Sequence, residues 1–343
     1  MNDNYILGAL KTPIGIVSQV STAWSSFDVW STIKVRWSVG RMNYSIKPGI
    51  YAVGVPDADS PVFVTGNYKL SFDHVRRALG GLNAWLLILD TKGINVWCAA
   101  GKGTFGTHEL EHRIKVHALE KLVSHRRVIV PQLGAVGISA HEIKTKTGFR
   151  VVYGPVRADD IKAFVAAGFN ASSEMRKVHF TLIDRIKLIP VELAYGSYYL
   201  LLIPAIFFIL SGLYAHGYSV DLAWSRGGAS VINLMGAYIS GCVLTPVLLP
   251  WIPFKRFSLK GLFTGWVIAT ILAFYQFSGN HIAEIISWFL ITGGISSFLA
   301  MNFTGSSTFT SLSGVQKEMK LSLPLQIIAF TTGFIGWIIT RFI

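Results

Sequence analysis

The segment Asn95-Val96-Trp97-Cys98-Ala99-Ala100-Gly101-Lys102 sets one of the chain's two cysteines between an indole and a Gly-Lys turn. A lone thiol cannot hold a zinc ion or an iron–sulfur cluster, which take three or four protein ligands. The other cysteine, Cys242, falls inside a long apolar stretch. Three roles stay open for Cys98: a nucleophile, an axial ligand to a metal that arrives within a preformed cofactor, or a small buried hydrophobe. Gly93 before the motif and Gly101, Gly103 and Gly106 after it let the backbone approach a flat ligand closely. The Lys102-Gly103 pair is not a phosphate loop, because Val96 stands where that motif requires glycine and Gly103 where it requires Ser or Thr.

A second constellation is His108-Glu109-Leu110-Glu111-His112, a literal H-E-x-x-H on an expected helix. That spacing puts two imidazoles on one face, the arrangement of a membrane zinc metallopeptidase with Glu109 as general base. The neighbours disagree, since Glu111, Arg113 and Lys115 make the helix amphipathic and solvated. Thr107 as N-cap, with Glu109 and Glu111 in the first turn, explains the acids by capping and the helix dipole.

The elements that must position these residues come from two different kinds of sequence. Residues 61 to 169 alternate short apolar runs with helical patterns, which predicts an α/β unit with a mainly parallel sheet, a Rossmann-like arrangement. Strands are expected at 62–64, 85–89, 127–130 and 149–153, and helices at 72–79, 107–124, 138–146 and 158–167. Ligands of such sheets sit outside the carboxyl ends of the strands. The turns after Val64, Leu89 and Val130 fall there. Residues 1 to 60, with Trp24, Trp30 and Trp37, read as part of the same domain.

From Tyr198 onward the character changes. Five apolar stretches, at 198–214, 229–249, 259–277, 282–303 and 323–342, each approach the ~20 residues that span a bilayer. They carry almost no charge; Glu284 sits at the start of the fourth and Arg341 at the end of the fifth. With 51% hydrophobic residues and a mean hydropathy of +0.48, the chain is too apolar for a soluble globule. The expected organisation is a soluble domain over 1–170, a basic amphipathic juxtamembrane linker over 171–197 and an all-α five-helix transmembrane domain over 198–343. The linker carries Arg176, Lys177, Arg185 and Lys187 beside Met175, Val178, Leu182, Ile183 and Ile186, a composition suited to anionic headgroups.

Loop charge predicts orientation in a cytoplasmic membrane. Lys255, Arg256 and Lys260 follow the second stretch and Lys317 and Lys320 the fourth, which puts the amino-terminal half in the cytoplasm and the carboxyl terminus outside. The first 30 residues show no secretory signal, having Asp3 and no continuous apolar core. The net charge of +13 does not point to nucleic acid, because the basic residues are scattered and interleave with no aromatic run. Two cysteines imply no disulfide framework. A polar run from Asn302 to Ser311 leaves the fourth stretch and could bind a ligand or dock the soluble domain.

The Asn95–Lys102 segment matches the signature N-V/I-W-C-A-A/G-G-K and resembles the family of mercury-methylating corrinoid proteins (HgcA). Val64-Thr65-Gly66-Asn67-Tyr68-Lys69-Leu70-Ser71 is similar to the corrinoid-contacting turn that this family shares with the large subunit of the corrinoid iron–sulfur protein of the acetyl-CoA pathway. Pro131-Gln132-Leu133-Gly134-Ala135 and Tyr153-Gly154-Pro155-Val156-Arg157-Ala158 resemble further segments of both. The resemblance implies a corrinoid (cobalamin-type) cofactor with Cys98 as lower axial ligand to cobalt, and contacts from Asn95, Val96, Trp97, Ala99, Ala100, Gly101 and Lys102. It implies contacts with the corrin from Thr65, Gly66, Asn67 and Tyr68, and passage of the nucleotide tail past Gly134, Ala135 and Gly137. It further implies a methyltransferase that passes a cobalt-bound methyl group to Hg(II), fed by a folate-pathway methyl donor. A small ferredoxin-like partner with two 4Fe–4S clusters (HgcB) would reduce the cofactor. A corrinoid methyl carrier of acetyl-CoA-pathway type is the alternative within this chemistry.

Overall fold

The computed structural model describes residues 4–303 and 312–343. The chain divides into two compact units, one of Met1–Val35 with Val39–His179, the other of Arg36–Ser38 with Phe180–Ile343. The polar run from Thr304 to Ser311 lies outside the described residues.

The first unit is built on a seven-stranded sheet of order β1-β2-β3-β5-β4-β6-β7. The strands are β1 (Ile6–Thr12), β2 (Gly15–Val20), β3 (Gly49–Val53), β4 (Val62–Gly66), β5 (Ala84–Leu89), β6 (Arg127–Val130) and β7 (Arg150–Tyr153). β5, β4, β6 and β7 run parallel, as expected. The amino-terminal strands make the sheet mixed: β3 pairs antiparallel to β5, and the β1–β2 hairpin extends the edge beyond it. Every residue of β4 and β5 is buried, because helices cover both faces of these central strands.

Helices α1 (Ser26–Arg36) and α2 (Lys69–Ala78) are joined by charge rather than by apolar contact alone. Asp28 of α1 meets Lys69 at 3.0 Å and Arg76 at 2.9 Å, while Asp73 meets Lys69 at 2.6 Å and Arg76 at 2.8 Å. All four side chains are buried. Burial opposes the charge on Asp28, yet bonds from the Ser25 amide, Lys69 and Arg76 outweigh it and hold this carboxyl far below its usual range. For Lys69, burial is likewise the largest influence and is outweighed by Asp73, so its ammonium stays charged to unusually high pH.

The helix expected over 107–124 is two: α4 (Thr107–Val116) and α5 (Leu119–Leu122). Ala118 takes a left-handed conformation at φ 43° and breaks the run, which turns Leu119 and Leu122 into the core. The remaining helices of this unit are α3 (Val96–Lys102), α6 (Ala140–Thr147) and α7 (Ile161–Ala166).

The second unit is all-helical apart from a two-residue hairpin of β8 (Leu213–Tyr214) and β9 (Gly217–Tyr218). Its helices are α8 (Leu182–Ile186), α9 (Ile189–Leu210), α10 (Val220–Ile239), α11 (Thr245–Leu248), α12 (Phe257–Phe274), α13 (Ile282–Asn302) and α14 (Leu312–Ile339). Among the described residues, five helical stretches are long and apolar enough to cross a membrane: Leu182–Leu210, Val220–Leu248, Phe257–Phe274, Ile282–Asn302 and Gly314–Ile339. The first, second and fifth begin well before the positions that hydropathy alone gave them. The stretch over 171–197 is not one amphipathic helix. Met175 packs on the core of the first unit, whereas Arg185 is buried in the second and donates to the carbonyls of Pro246 and Val247.

Small residues let α12 and α13 approach, since a Cβ on Gly261 or Gly265 would strike Ser296. Hydroxyls then bridge the helices, with Thr245 to Thr264 at 2.6 Å and Ser296 to the Gly261 carbonyl at 2.7 Å. Glu284 and Arg341, the two charges at the ends of the fourth and fifth stretches, form an ion pair.

The buried charges generate a prediction. Asp28→Asn should cost about 3–5 kcal/mol in chemical denaturation of the first unit, because it leaves two buried cations, Lys69 and Arg76, to share the one carboxylate of Asp73. Asp28 also makes stability pH-dependent. Its folded pKa is depressed, so its contribution is complete above about pH 4, the unfolded value, and is lost as pH falls below it. Acid titration of unfolding should show this loss in the wild type and a flatter profile in Asp28→Asn.

Candidate functional site

Connections leave β4 and β6 toward opposite sides of the sheet, so the crevice beyond their carboxyl ends is the topological switch point. Three turns gather there. They are Asn67–Tyr68 after β4, whose last residues are Thr65 and Gly66, Asp90–Asn95 after β5, and the 3-10 turn Gln132–Gly137 after β6.

Asn67 organises the first two. Its side-chain oxygen accepts from the Thr91 amide (3.0 Å), the Thr91 hydroxyl (2.8 Å) and the Gly93 amide (3.0 Å). Its amide nitrogen donates to Asp90 at 3.2 Å. Gly66 permits this approach, because a Cβ there would come within 2.8 Å of Thr91. From the other side, Glu109 of α4 accepts from the Asp90 amide at 2.8 Å and from Arg113 at 2.6 Å. Burial tends to raise the Asp90 pKa, but bonds from the Lys92 side chain and amide hold the carboxyl below its usual range.

The turn so fixed delivers α3. Asn95 is its N-cap, accepting from the Cys98 amide at 2.9 Å, and Gly103 ends it in a left-handed conformation at φ 80°. Val96, Ala99 and Ala100 are buried in the core. Helical periodicity therefore puts Cys98 on the outer face with Gly101 and Lys102. Cys98 is half-buried, as is Trp97, while Gly101 and Lys102 are exposed. Nothing lies within 4 Å of where a Cβ on Gly101 or Gly103 would sit.

The 3-10 turn packs directly on α3. A Cβ on Gly134 would enter the Phe105 ring, and one on Gly137 would meet the Phe105 carbonyl and Ala100. Packing within the protein thus accounts for both glycines. Ala135 beside them is half-buried and Val136 exposed. Gln132, which opens the turn, has a buried side-chain oxygen without a partner among the described residues.

Of the residues expected to touch a cofactor, Thr65, Gly66, Asn67 and Tyr68 are all buried, and Asn67 is engaged by protein groups. Tyr68 packs on Val35 and Tyr44. The H-E-x-x-H segment forms no metal centre. His108 and His112 are exposed, Glu109 serves Asp90 and Arg113, and no group of three or more His, Cys, Asp or Glu able to hold an ion occurs among the described residues. Thr107 is not the N-cap of α4. Gly106 takes that position, and the Thr107 hydroxyl instead accepts from the Ser139 amide at 2.8 Å. The roles of Thr91 and Glu109 in holding the β5 exit had no sequence signal, since neither belongs to a motif for such contacts.

An α/β unit with a switch-point crevice, followed by apolar helices, is the class that fold and site define. Comparison with known proteins narrows the soluble unit further. Residues 33–165 match the family described as CO dehydrogenase/acetyl-CoA synthase delta subunit. The chain is 32% identical over 142 residues to the acetyl-CoA decarbonylase/synthase complex subunit gamma of Archaeoglobus fulgidus, covering 40% of this chain and 30% of that protein. It is 34% identical over 120 residues to subunit gamma 2 of Methanosarcina thermophila, covering 34% and 25%. Against the corrinoid/iron-sulfur protein large subunit of Moorella thermoacetica it is 32% identical over 117 residues, covering 34% and 26%. The chain thus spans less than a third of the length of these relatives.

Asn67→Leu removes the acceptor for three donors at the β5 exit. It should destabilise the first unit by about 2–4 kcal/mol, since each buried donor left unmet costs on the order of 1–3 kcal/mol. Hydrogen exchange at the Thr91 and Gly93 amides should accelerate beyond that of β4 and β5. Exchange at these two amides that is no faster than in the strands would remove Asn67 as the clamp.

Proposed function

We propose that this chain is a membrane-anchored, corrinoid-dependent methyltransferase whose soluble unit carries a methyl group at the switch-point crevice. The observation that carries this reading is α3, a short capped helix that presents a single half-buried thiol beside bare glycine backbone, inside the segment matching the corrinoid-pathway family. The residues fit such a group. One thiol can serve a metal only as a single ligand, so the remaining ligands must come with a preformed macrocycle. The open space over Gly101 and Gly103 suits a flat face, and the unpartnered Gln132 oxygen suits a donor from the group's periphery.

In this reading Cys98 would hold the group through its thiolate, and Asn95, Val96, Trp97, Ala99, Ala100, Gly101 and Lys102 would form the segment that positions it. Thr65, Gly66, Asn67 and Tyr68 border the crevice on the β4 side, and Gly134 and Ala135 on the β6 side. When bound, the corrinoid supplies a cobalt centre able to accept and release a methyl group. The chain's own part is positional. Asn95 fixes the first turn, Asn67 and Glu109 fix the loop before it, and the buried face of α3 keeps the thiol from turning inward.

Two acceptors are consistent with this machinery. The Trp97-Cys98 motif favours Hg(II), forming methylmercury, with a folate-pathway methyl donor and a ferredoxin-like partner bearing two 4Fe–4S clusters. The comparisons favour a methyl carrier of acetyl-CoA-pathway type, as the relatives named above are subunits of such complexes. The apolar helices support a multi-pass membrane protein, and loop charge supports a cytoplasmic soluble unit with the carboxyl terminus outside.

Purified anaerobically with a cobalamin source, the full chain should retain a visible corrinoid spectrum. Cys98→Ala should change that spectrum and abolish methyl transfer while the unfolding free energy stays within about 1 kcal/mol of wild type, since the thiol is only half-buried. An unchanged spectrum would remove the axial role. Supplying Hg(II) on a thiol carrier, or the acetyl-CoA-forming partners, to the methyl-loaded protein decides the acceptor by which one takes the label.

A further inference from the structure

The second unit contains a cavity of 480 Å³ between α9, α10, α13 and α14, with Tyr199, Ile203, Leu234, Phe298, Gln326 and Phe330 on its walls. Its size lies within the range of small-molecule sites. The walls are almost wholly apolar, yet one buried polar atom on them has no partner among the described residues. Gln326 is buried, and its amide nitrogen donates to Ser297 at 2.9 Å, which leaves its side-chain oxygen without a partner among the described residues. Tyr238, also on the wall, commits its hydroxyl proton to the Leu193 carbonyl at 2.6 Å. Pro204 interrupts α9 without an N–H, so the Leu200 carbonyl, on the same wall, loses its intrahelical donor. Among the buried side chains of the lining, the unmet group is thus the Gln326 acceptor, while the Tyr199 hydroxyl belongs to the exposed margin.

An acceptor left unmet in hydrocarbon is costly, and the apolar surroundings offer no water to satisfy it. Tyr199 and Ile327 at the margin are largely exposed, so the cavity is open to the face that lipid would cover. We propose that it binds a membrane-soluble lipid whose apolar body carries a hydroxyl group, the hydroxyl donating to Gln326. A plain acyl chain fills the volume but leaves the amide oxygen unpaired. Two sources share this chemistry, a long-chain aliphatic alcohol and a ring-bearing quinol.

The test uses the full chain in detergent with two photoactivatable probes of equal length, a diazirine-bearing alkanol and the matching alkane. Labelling of peptides spanning 196–204 and 323–330 should favour the alkanol by roughly tenfold, the worth of one buried hydrogen bond. Gln326→Leu should equalise the two probes. Should that variant fail to insert, competition on the wild type serves instead. Unlabelled dodecanol or a decyl-tailed benzoquinol should displace the alkanol probe, and whichever acts at lower concentration identifies the source. Equal labelling by alkanol and alkane in the wild type, or displacement by neither competitor, overturns the proposal.

Discussion

A single side-chain oxygen, that of Asn67, receives three donors from the loop that follows β5, and the geometry of the crevice depends on it. Within the loop the buried Thr91 hydroxyl also lies 2.7 Å from the Ile94 carbonyl, but the Thr91 and Gly93 amides both turn to Asn67. Gly66 is the condition for the contact, since any side chain there would fill the space of Thr91. Glu109 meets the Asp90 amide from the opposite direction. The start of α3 is thus held from both sides before its own cap is counted. A helix of seven residues has little stability alone. Its orientation is a product of this buried polar clamp, and the exposure of Cys98 follows from it.

The same logic of paired burial recurs through the molecule. The Asp28, Lys69, Asp73 and Arg76 quartet places four charges where solvent does not reach, and every one meets an opposite charge. In the helical unit, Arg185 ends on two carbonyls freed near Pro246, and Lys260 donates to the carbonyls of Leu249 and Ile252. Such groups give specificity to packing that apolar surface alone would leave degenerate. The unmet oxygens of Gln132 and Gln326 stand out against this background, one at the crevice and one in the apolar cavity.

A methyl-handling role is consistent with how little chemistry the chain supplies by itself. One half-buried thiol, no group of metal-binding side chains among the described residues, and a preformed crevice describe a holder for a cofactor that brings its own reactivity. The family match covers residues 33–165 and ends before the apolar helices.

The amino-acid pattern alone determined the existence of the two units, the four parallel strands and the five apolar stretches, because period and hydropathy are local properties that survive without coordinates. Tertiary structure decided the rest. The antiparallel addition of β3 to β5, the break at Ala118 and the division of residues 171–197 between two cores each depend on partners distant in sequence. The H-E-x-x-H spacing was a true helical pattern with a different purpose, since Glu109 answers to a backbone amide 19 residues away. Which side chain a buried donor will find is settled only when the chain has closed, and that closure is what turned Asn67 from an ordinary turn residue into the support of Cys98.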